Sequence, residues 1–123
     1  MKANIGCWFK IYVADMPRAK KFYEAVFNTK LEKLEAEGME YLMFPYQGGV
    51  EGASGALVKM DCVTPGSGGT LIYLSCDDCA VEESRIVPNG GTILRAKFAI
   101  GEYGFASIVK DSEDNVIGLH SQK

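Results

Sequence analysis

The sequence predicts an α+β domain in which two βαβββ modules form an open barrel around a cavity. Its 123 residues are 47% apolar, which suits one domain with a substantial core. Apolar residues alternate in several segments and recur at helical spacing in others. A shift of 63 residues overlays the two halves, so that Phe9 meets Ile72, Asp15 meets Asp78 and Gly55 meets Gly118. The fold class follows from this duplicated order of elements.

The first module begins with a strand over residues 7–13, where Phe9, Ile11 and Val13 share one face. Asp15 is the expected N-cap of a helix with Pro17 in its first turn. Apolar residues at helical spacing extend this helix to 28–29. Strand-like runs follow at residues 30–34, 39–44 and 54–60. One helix is therefore followed by three strands.

The second module repeats this order after a glycine-rich stretch at 65–69. A strand over 71–76 leads to a helix that Asp77 or Asp78 caps and that stops at 88–91. Further strands are predicted over 92–95, 103–110 and 115–120. We therefore expect a single domain over 1–123, with module one at about 5–61, a linker at about 62–69 and module two at about 70–121.

Charge and composition exclude several function classes. The net charge of −3 and the pI near 5.1 provide no basic field for nucleic acid or an anionic membrane. The longest uncharged stretch, 62–76, contains turn-forming residues, so we expect no membrane span. The N-terminus does not resemble a signal peptide, which predicts a cytoplasmic protein.

The four cysteines do not form a disulfide framework at this length. Cys76 and Cys79 make a single CxxC pair. Asp77 and Asp78 lie between them and disfavour a thiolate. Packing is the expected role of this pair, and redox chemistry is the alternative.

Several motifs support a family resemblance over about residues 5–121. The segments are WFKIYVADM at 8–16, GTLIYL at 69–74, IGEYGF at 100–105 and IGLHS at 117–121. With the duplicated βαβββ order, they resemble the vicinal oxygen chelate superfamily, which includes glyoxalase I, extradiol dioxygenases and bleomycin-resistance proteins. They look most like its glyoxalase-like branch. The resemblance implies a glyoxalase/bleomycin resistance/dioxygenase-like fold and, because members often dimerise, a homodimer.

Catalytic members of this superfamily bind a divalent metal through His, Gln and Glu side chains. The resemblance and the repeat place those positions at Trp8, Gly55, Leu71 and Gly118, none of which can ligate a metal through its side chain. We therefore expect no metal and no other cofactor. A displaced site that uses His120 and Glu51 is the alternative.

Strand alternation also predicts which residues line the cavity. The ligand-binding candidates are Trp8, Lys10, Tyr12, Leu57, Leu71, Tyr73, Ser75, Tyr103 and His120. The side chain of Lys10 is expected to reach the rim of the cavity, and direct contact with an anionic ligand is the alternative. His120 and Glu102 are the candidate catalytic pair, since an imidazole exchanges protons near neutral pH. The alternatives without a catalytic role are a solvated His120 side chain and an ordinary hairpin at 101–104.

These observations favour a metal-free binder of a small, partly aromatic or anionic molecule. The alternative is a glyoxalase-related lyase, isomerase or dioxygenase that uses an atypical metal site or acid/base chemistry at His120. A scaffold subunit with a vestigial cavity is the third hypothesis. A small-molecule ligand and a second copy of the chain are thus the expected partners, and nucleic acid and membrane are not.

Overall fold

The computed structural model of the chain describes residues 4–35 and 39–123. These residues form two compact units. One unit is Trp8–Thr70, and the other combines the described residues up to Cys7 with Leu71–Lys123. No helix in the described part of the chain is long and apolar enough to cross a membrane.

The unit Trp8–Thr70 has the predicted βαβββ order. Its elements are β1 (Gly6–Tyr12), α1 (Met16–Phe27), β2 (Glu32–Lys33), β3 (Glu40–Met43) and β4 (Ser54–Lys59), and the first residues of β1 belong to the other unit. The strand order is β2-β3-β4-β1, with β1 parallel to β4 and the remaining pairs antiparallel. The parallel pair requires a long crossover, which contains α1.

The second unit repeats this arrangement. Its elements are β5 (Thr70–Ser75), α2 (Cys79–Ser84), β6 (Thr92–Ala99), β7 (Phe105–Lys110) and β8 (Val116–Ser121), and the first residue of β5 belongs to the other unit. The strand order is β5-β8-β7-β6, with β5 parallel to β8. The two units therefore confirm the predicted pair of βαβββ modules.

Both helices begin at the predicted aspartates. The carboxylate of Asp15 accepts the Arg18 N–H at 3.0 Å, and that of Asp78 accepts the Ala80 N–H at 3.0 Å. The second helix was predicted to run to 88, but α2 ends at Ser84, and a separate 3₁₀ turn covers Val87–Asn89. The helix ends early because Pro88 has no N–H to donate to an α-helix. In addition, Cys79 is the only residue of α2 that is buried, so little packing stabilises a longer helix.

Each helix packs on one face of its sheet, which we call the helix-covered face; the opposite face is the helix-free face. In the unit Trp8–Thr70, the helix-covered core contains Val13, Met16, Leu31 and Leu57. In the second unit it contains Cys76, Cys79, Val109 and Leu119. Burial raises the pKa of Cys76 to about 11. The CxxC pair is therefore part of the core, as packing predicts, and the Cys76 thiol stays protonated at neutral pH.

Strand β6 departs most from the sequence prediction. It was expected over 92–95, but it continues to Ala99. Its pairing with β7 shifts register twice, once between Ile93 and Arg95 and again between Arg95 and Phe98. Each shift inserts an extra residue into β6, and such bulges break the alternation on which the prediction depends.

Candidate ligand-binding site

Three predicted site residues, Trp8, Lys10 and Tyr12, lie on the helix-free face of the unit Trp8–Thr70. They surround Tyr41, which is 8% exposed. The indole Nε1–H of Trp8 donates to the Tyr41 hydroxyl at 3.1 Å, and Lys10 Nζ lies 5.8 Å from the centre of the Tyr41 ring. The hydrogen bond and the cation–π contact fix the Trp8 and Lys10 side chains around the Tyr41 ring, which gives an aromatic surface with a cation above it.

Leu57 does not belong to this surface, which corrects the prediction. It lies opposite Ile11 in the parallel register and packs in the helix-covered core, where its exposure is 0%. Ala56 and Val58 occupy the helix-free face of β4 instead. The offset between paired residues is 46 for β1 and β4 but 45 for β5 and β8. The repeat shift of 63 residues therefore misplaces β4 by one residue. A displacement of one residue moves each side chain of a strand to the opposite face of the sheet.

The helix-free face of the second unit contains four predicted residues: Leu71, Tyr73, Ser75 and His120. In the parallel register, Tyr73 lies opposite Gly118 and Ser75 lies opposite His120. Leu71 is two residues before Tyr73 and so shares its face. The structure thus brings these four side chains to one surface of one unit.

Tyr73 is a buried aromatic residue of this surface. It is 7% exposed, and Gly118 lies beneath its ring, where a β-carbon would overlap the ring carbons. Desolvation by burial raises the pKa of Tyr73 to about 12, against an opposing effect of the Arg95 charge. Its hydroxyl is therefore protonated at neutral pH.

His120 is fixed by the turn that precedes β7. Its Nε2 lies 2.6 Å from the carbonyl oxygen of Tyr103, and the side chain is half-buried. A carbonyl can only accept, so Nε2 carries the proton and Nδ1 is the basic nitrogen of the neutral ring. The backbone of His120 is held as well, because its carbonyl accepts the Cys76 N–H at 2.7 Å.

The remaining candidates, Glu102 and Tyr103, form a short 3₁₀ turn with Gly101. Gly101 and Gly104 have φ angles of 66° and 98°, which favour glycine. The Glu102 side chain is exposed, and Tyr103 is 49% exposed. The backbone carbonyl of Tyr103 contacts His120.

Two residues of this surface were missed by the sequence prediction. Arg95 lies opposite Ile108 on β7, and Phe98 lies opposite Ala106. Ala106 in turn lies opposite His120, so all of these residues are on the helix-free face. The Arg95 guanidinium carbon is 3.6 Å from the centre of the Phe98 ring. Sequence alternation did not predict either residue, because the bulges of β6 interrupt that alternation. The only sequence signal was an arginine and an aromatic residue three positions apart.

The described side chains do not fit the divalent metal that the resemblance implies. Trp8, Leu71 and Gly118 stand at three of the ligand positions, and the register gives the fourth to Ala56 instead of Gly55. Within 4–35 and 39–123, no three His, Cys, Asp or Glu residues are grouped so as to hold a metal ion. These four positions therefore do not provide the donor atoms of a divalent-metal site.

Comparison with known proteins identifies relatives of the chain. A family model described as the Glyoxalase/Bleomycin resistance protein/Dioxygenase superfamily matches residues 7–119. CFP32 proteins of Mycobacterium bovis and Mycobacterium tuberculosis, which are provisionally named as glyoxylases, are 27% identical to the chain over 116 residues. The alignment covers 91% of this chain but 43% of each relative, so the chain spans less than half of their length.

Solved structures share the fold at low sequence identity. Streptomyces coelicolor methylmalonyl-CoA epimerase in complex with 2-nitronate-propionyl-CoA gives a TM-score of 0.72 at 14% identity and covers 96% of both chains. A hypothetical protein of Bacillus halodurans gives a TM-score of 0.74 at 11% identity, with 99% of this chain and 96% of that one covered. These likenesses show the fold and leave the activity open. The predicted fold class is confirmed, and the chain belongs to the Glyoxalase/Bleomycin resistance protein/Dioxygenase superfamily.

Proposed function

We propose that this protein binds a small organic anion on the helix-free face of the unit Leu71–Lys123, without a divalent metal. The observation that carries the proposal is the guanidinium of Arg95, which is exposed and stacked 3.6 Å above the Phe98 ring. A guanidinium presents a planar fork of donors that matches a carboxylate. An aromatic ring beneath it fixes the plane of that fork and reduces the conformational entropy that binding removes.

The surroundings of Arg95 favour a carboxylate attached to an apolar body. Phe98 and His120 lie on either side of the buried Ala106 in the pairing of the strands, and both rings are only half-buried. Tyr73 adds a ring with a protonated hydroxyl. Apolar surface with a few polar groups at its edge is the usual composition of a small-molecule site. A benzoate-sized anion matches this combination of an exposed cation and a partly exposed aromatic ring.

Benzoate titration by isothermal calorimetry tests the proposal, with uncharged benzamide as the matched ligand. Arg95→Gln is expected to weaken benzoate binding about tenfold to a hundredfold, the range of a lost charge-assisted pair. Benzamide binding should change little. Arg85→Gln is the matched control, because Arg85 is an exposed arginine at the end of α2. Chelator in the buffer should leave the benzoate affinity unchanged.

Equal benzoate affinity in wild-type and Arg95→Gln protein would contradict the site, as would equal affinity for benzoate and benzamide. Loss of binding with chelator would contradict the metal-free mode. A native mass spectrum of protein purified without chelator gives an independent check. A bound divalent ion at full occupancy would also contradict the metal-free mode. A co-purified organic acid would support the proposal, and the spectrum would give the mass of that acid.

Proton transfer by His120 is a second candidate function, favoured by the tautomer that the Tyr103 carbonyl imposes. A neutral ring with a protonated Nε2 presents Nδ1 as a base. The probe is the hemithioacetal of methylglyoxal and glutathione, the substrate type that the glyoxalase-like resemblance suggests. Its conversion would be followed by absorbance.

For an enzyme of this kind, His120→Gln is expected to lower the rate about 10²- to 10⁴-fold. Glutamine keeps an N–H donor for the Tyr103 carbonyl but lacks a basic nitrogen. Glu102→Gln tests the second member of the predicted pair. A rate that survives His120→Gln, or no conversion by the wild-type protein, would remove this candidate and leave the binding proposal in place.

A further inference from the structure

The stack of Arg95 on Phe98 depends on an irregular backbone. Residues three apart on a regular strand point to opposite faces. Here Arg95 lies opposite Ile108 and Phe98 lies opposite Ala106, two residues that share a face. An extra residue between Arg95 and Phe98 therefore rotates both side chains to the helix-free face. Without this bulge, the guanidinium and the ring would lie on opposite sides of the sheet.

At this bulge, side-chain hydrogen bonds replace backbone hydrogen bonds of the β-ladder. The backbone N–H of Lys97 donates to Glu83 Oε2 at 2.7 Å, and the carbonyl of Arg95 accepts the Ser107 hydroxyl at 3.2 Å. Lys97 Nζ also pairs with Asp78 Oδ1 at 2.9 Å. Glu83 is a half-buried residue of α2, and its carboxylate reaches from the helix to β6. A bulge leaves backbone groups without partners in the β-ladder. Glu83 and Ser107 provide hydrogen-bond partners for two of them, the Lys97 N–H and the Arg95 carbonyl.

We infer that Glu83 is a positioning residue for the anion site on the opposite face of the sheet, a role that rests on the proposed function. Its carboxylate holds the Lys97 amide and so fixes the bulge that brings Arg95 over Phe98. The role requires an acceptor of the right length and does not require a charge. Glu83 would therefore set the affinity for an organic anion that it does not touch.

Three substitutions separate length from charge. Glu83→Gln keeps an acceptor oxygen at the same reach, Glu83→Ala removes it, and Glu83→Asp keeps the charge but shortens the side chain by one methylene. Glu82→Ala is the matched control on the same helix, because the Glu82 carboxylate interacts with the Cys76 side chain. The mild Asp variant keeps the test decisive if the Ala variant does not fold.

The first measurement uses the protein without ligand. Protons of the Arg95 side chain lie over the Phe98 ring, so they should show an upfield ring-current shift in the proton NMR spectrum of the wild-type protein. We expect Glu83→Ala and Glu83→Asp to lose this shift, and Glu83→Gln and Glu82→Ala to keep it. A folded Glu83→Ala or Glu83→Asp protein that retains the shift would overturn the inference.

The second measurement is the benzoate affinity of the same variants. Glu83→Ala should weaken it about tenfold and Glu83→Gln about twofold or less, since only the first variant removes the acceptor. In an Arg95→Gln background, Glu83→Ala should have no further effect. If Arg95→Gln itself leaves benzoate binding unchanged, the proposed function fails while the ring-current shift still decides the role of Glu83. If Arg95→Gln weakens binding and Glu83→Ala does not, the inference alone fails.

Discussion

Replacing Leu57 with alanine is expected to lower the free energy of unfolding by about 2–5 kcal/mol. Leu57 is 0% exposed and packs with Val13, Met16 and Leu31 between the sheet and α1. The substitution removes buried apolar surface and leaves a cavity that close packing does not refill. Because the side chain lies on the helix-covered face, it should not alter the helix-free face of its unit.

Urea unfolding followed by circular dichroism measures this effect. Leu94→Ala is the matched control, because it makes the same change at a side chain that is 50% exposed, where about 0.5 kcal/mol is expected. Two substitutions of equal cost would contradict the burial of Leu57. Benzoate affinity should remain within about twofold of wild type when the variant is folded, since a core leucine away from a ligand changes its affinity little.

Gly118→Ala is expected to lower the free energy of unfolding by about 1–3 kcal/mol. The added methyl group would overlap the ring of Tyr73, which is 7% exposed and cannot leave its position cheaply. The expected response is a displaced ring on the surface that contains Arg95 and His120. Stability and benzoate binding should therefore decrease together, unlike in Leu57→Ala.

Gly48→Ala provides the matched control for this substitution. Gly48 is exposed, and the nearest atom to an added β-carbon, the Tyr46 hydroxyl oxygen, is at the ordinary contact distance of 3.5 Å. Its unfolding free energy should stay within about 0.5 kcal/mol of wild type. The displacement of Tyr73 can be read from an alkaline absorbance titration. A ring pushed toward solvent should ionise below the value of about 12 that burial gives it. An unchanged titration together with unchanged stability would contradict the close packing.

Local chemistry allowed the helix starts and strand faces to be predicted. Asp15 and Asp78 cap their helices because an N-cap depends on a few neighbouring residues. The faces of β1 and β5 follow from alternation within a single strand. The duplicated order of elements and the family motifs together indicated the fold class that the family and structural comparisons confirm.

Register, bulges and the partners of polar groups were decided only in the tertiary structure. The face of Leu57 depends on an offset of 46 residues in one unit and 45 in the other, which turn lengths and packing set. Arg95 and Phe98 share a face because Glu83 and Ser107, both distant in sequence, stabilise the bulge between them. The sequence by itself determined the modules and several candidate residues. The tertiary structure decided which side chains meet, because register and long-range hydrogen bonds depend on the whole sheet.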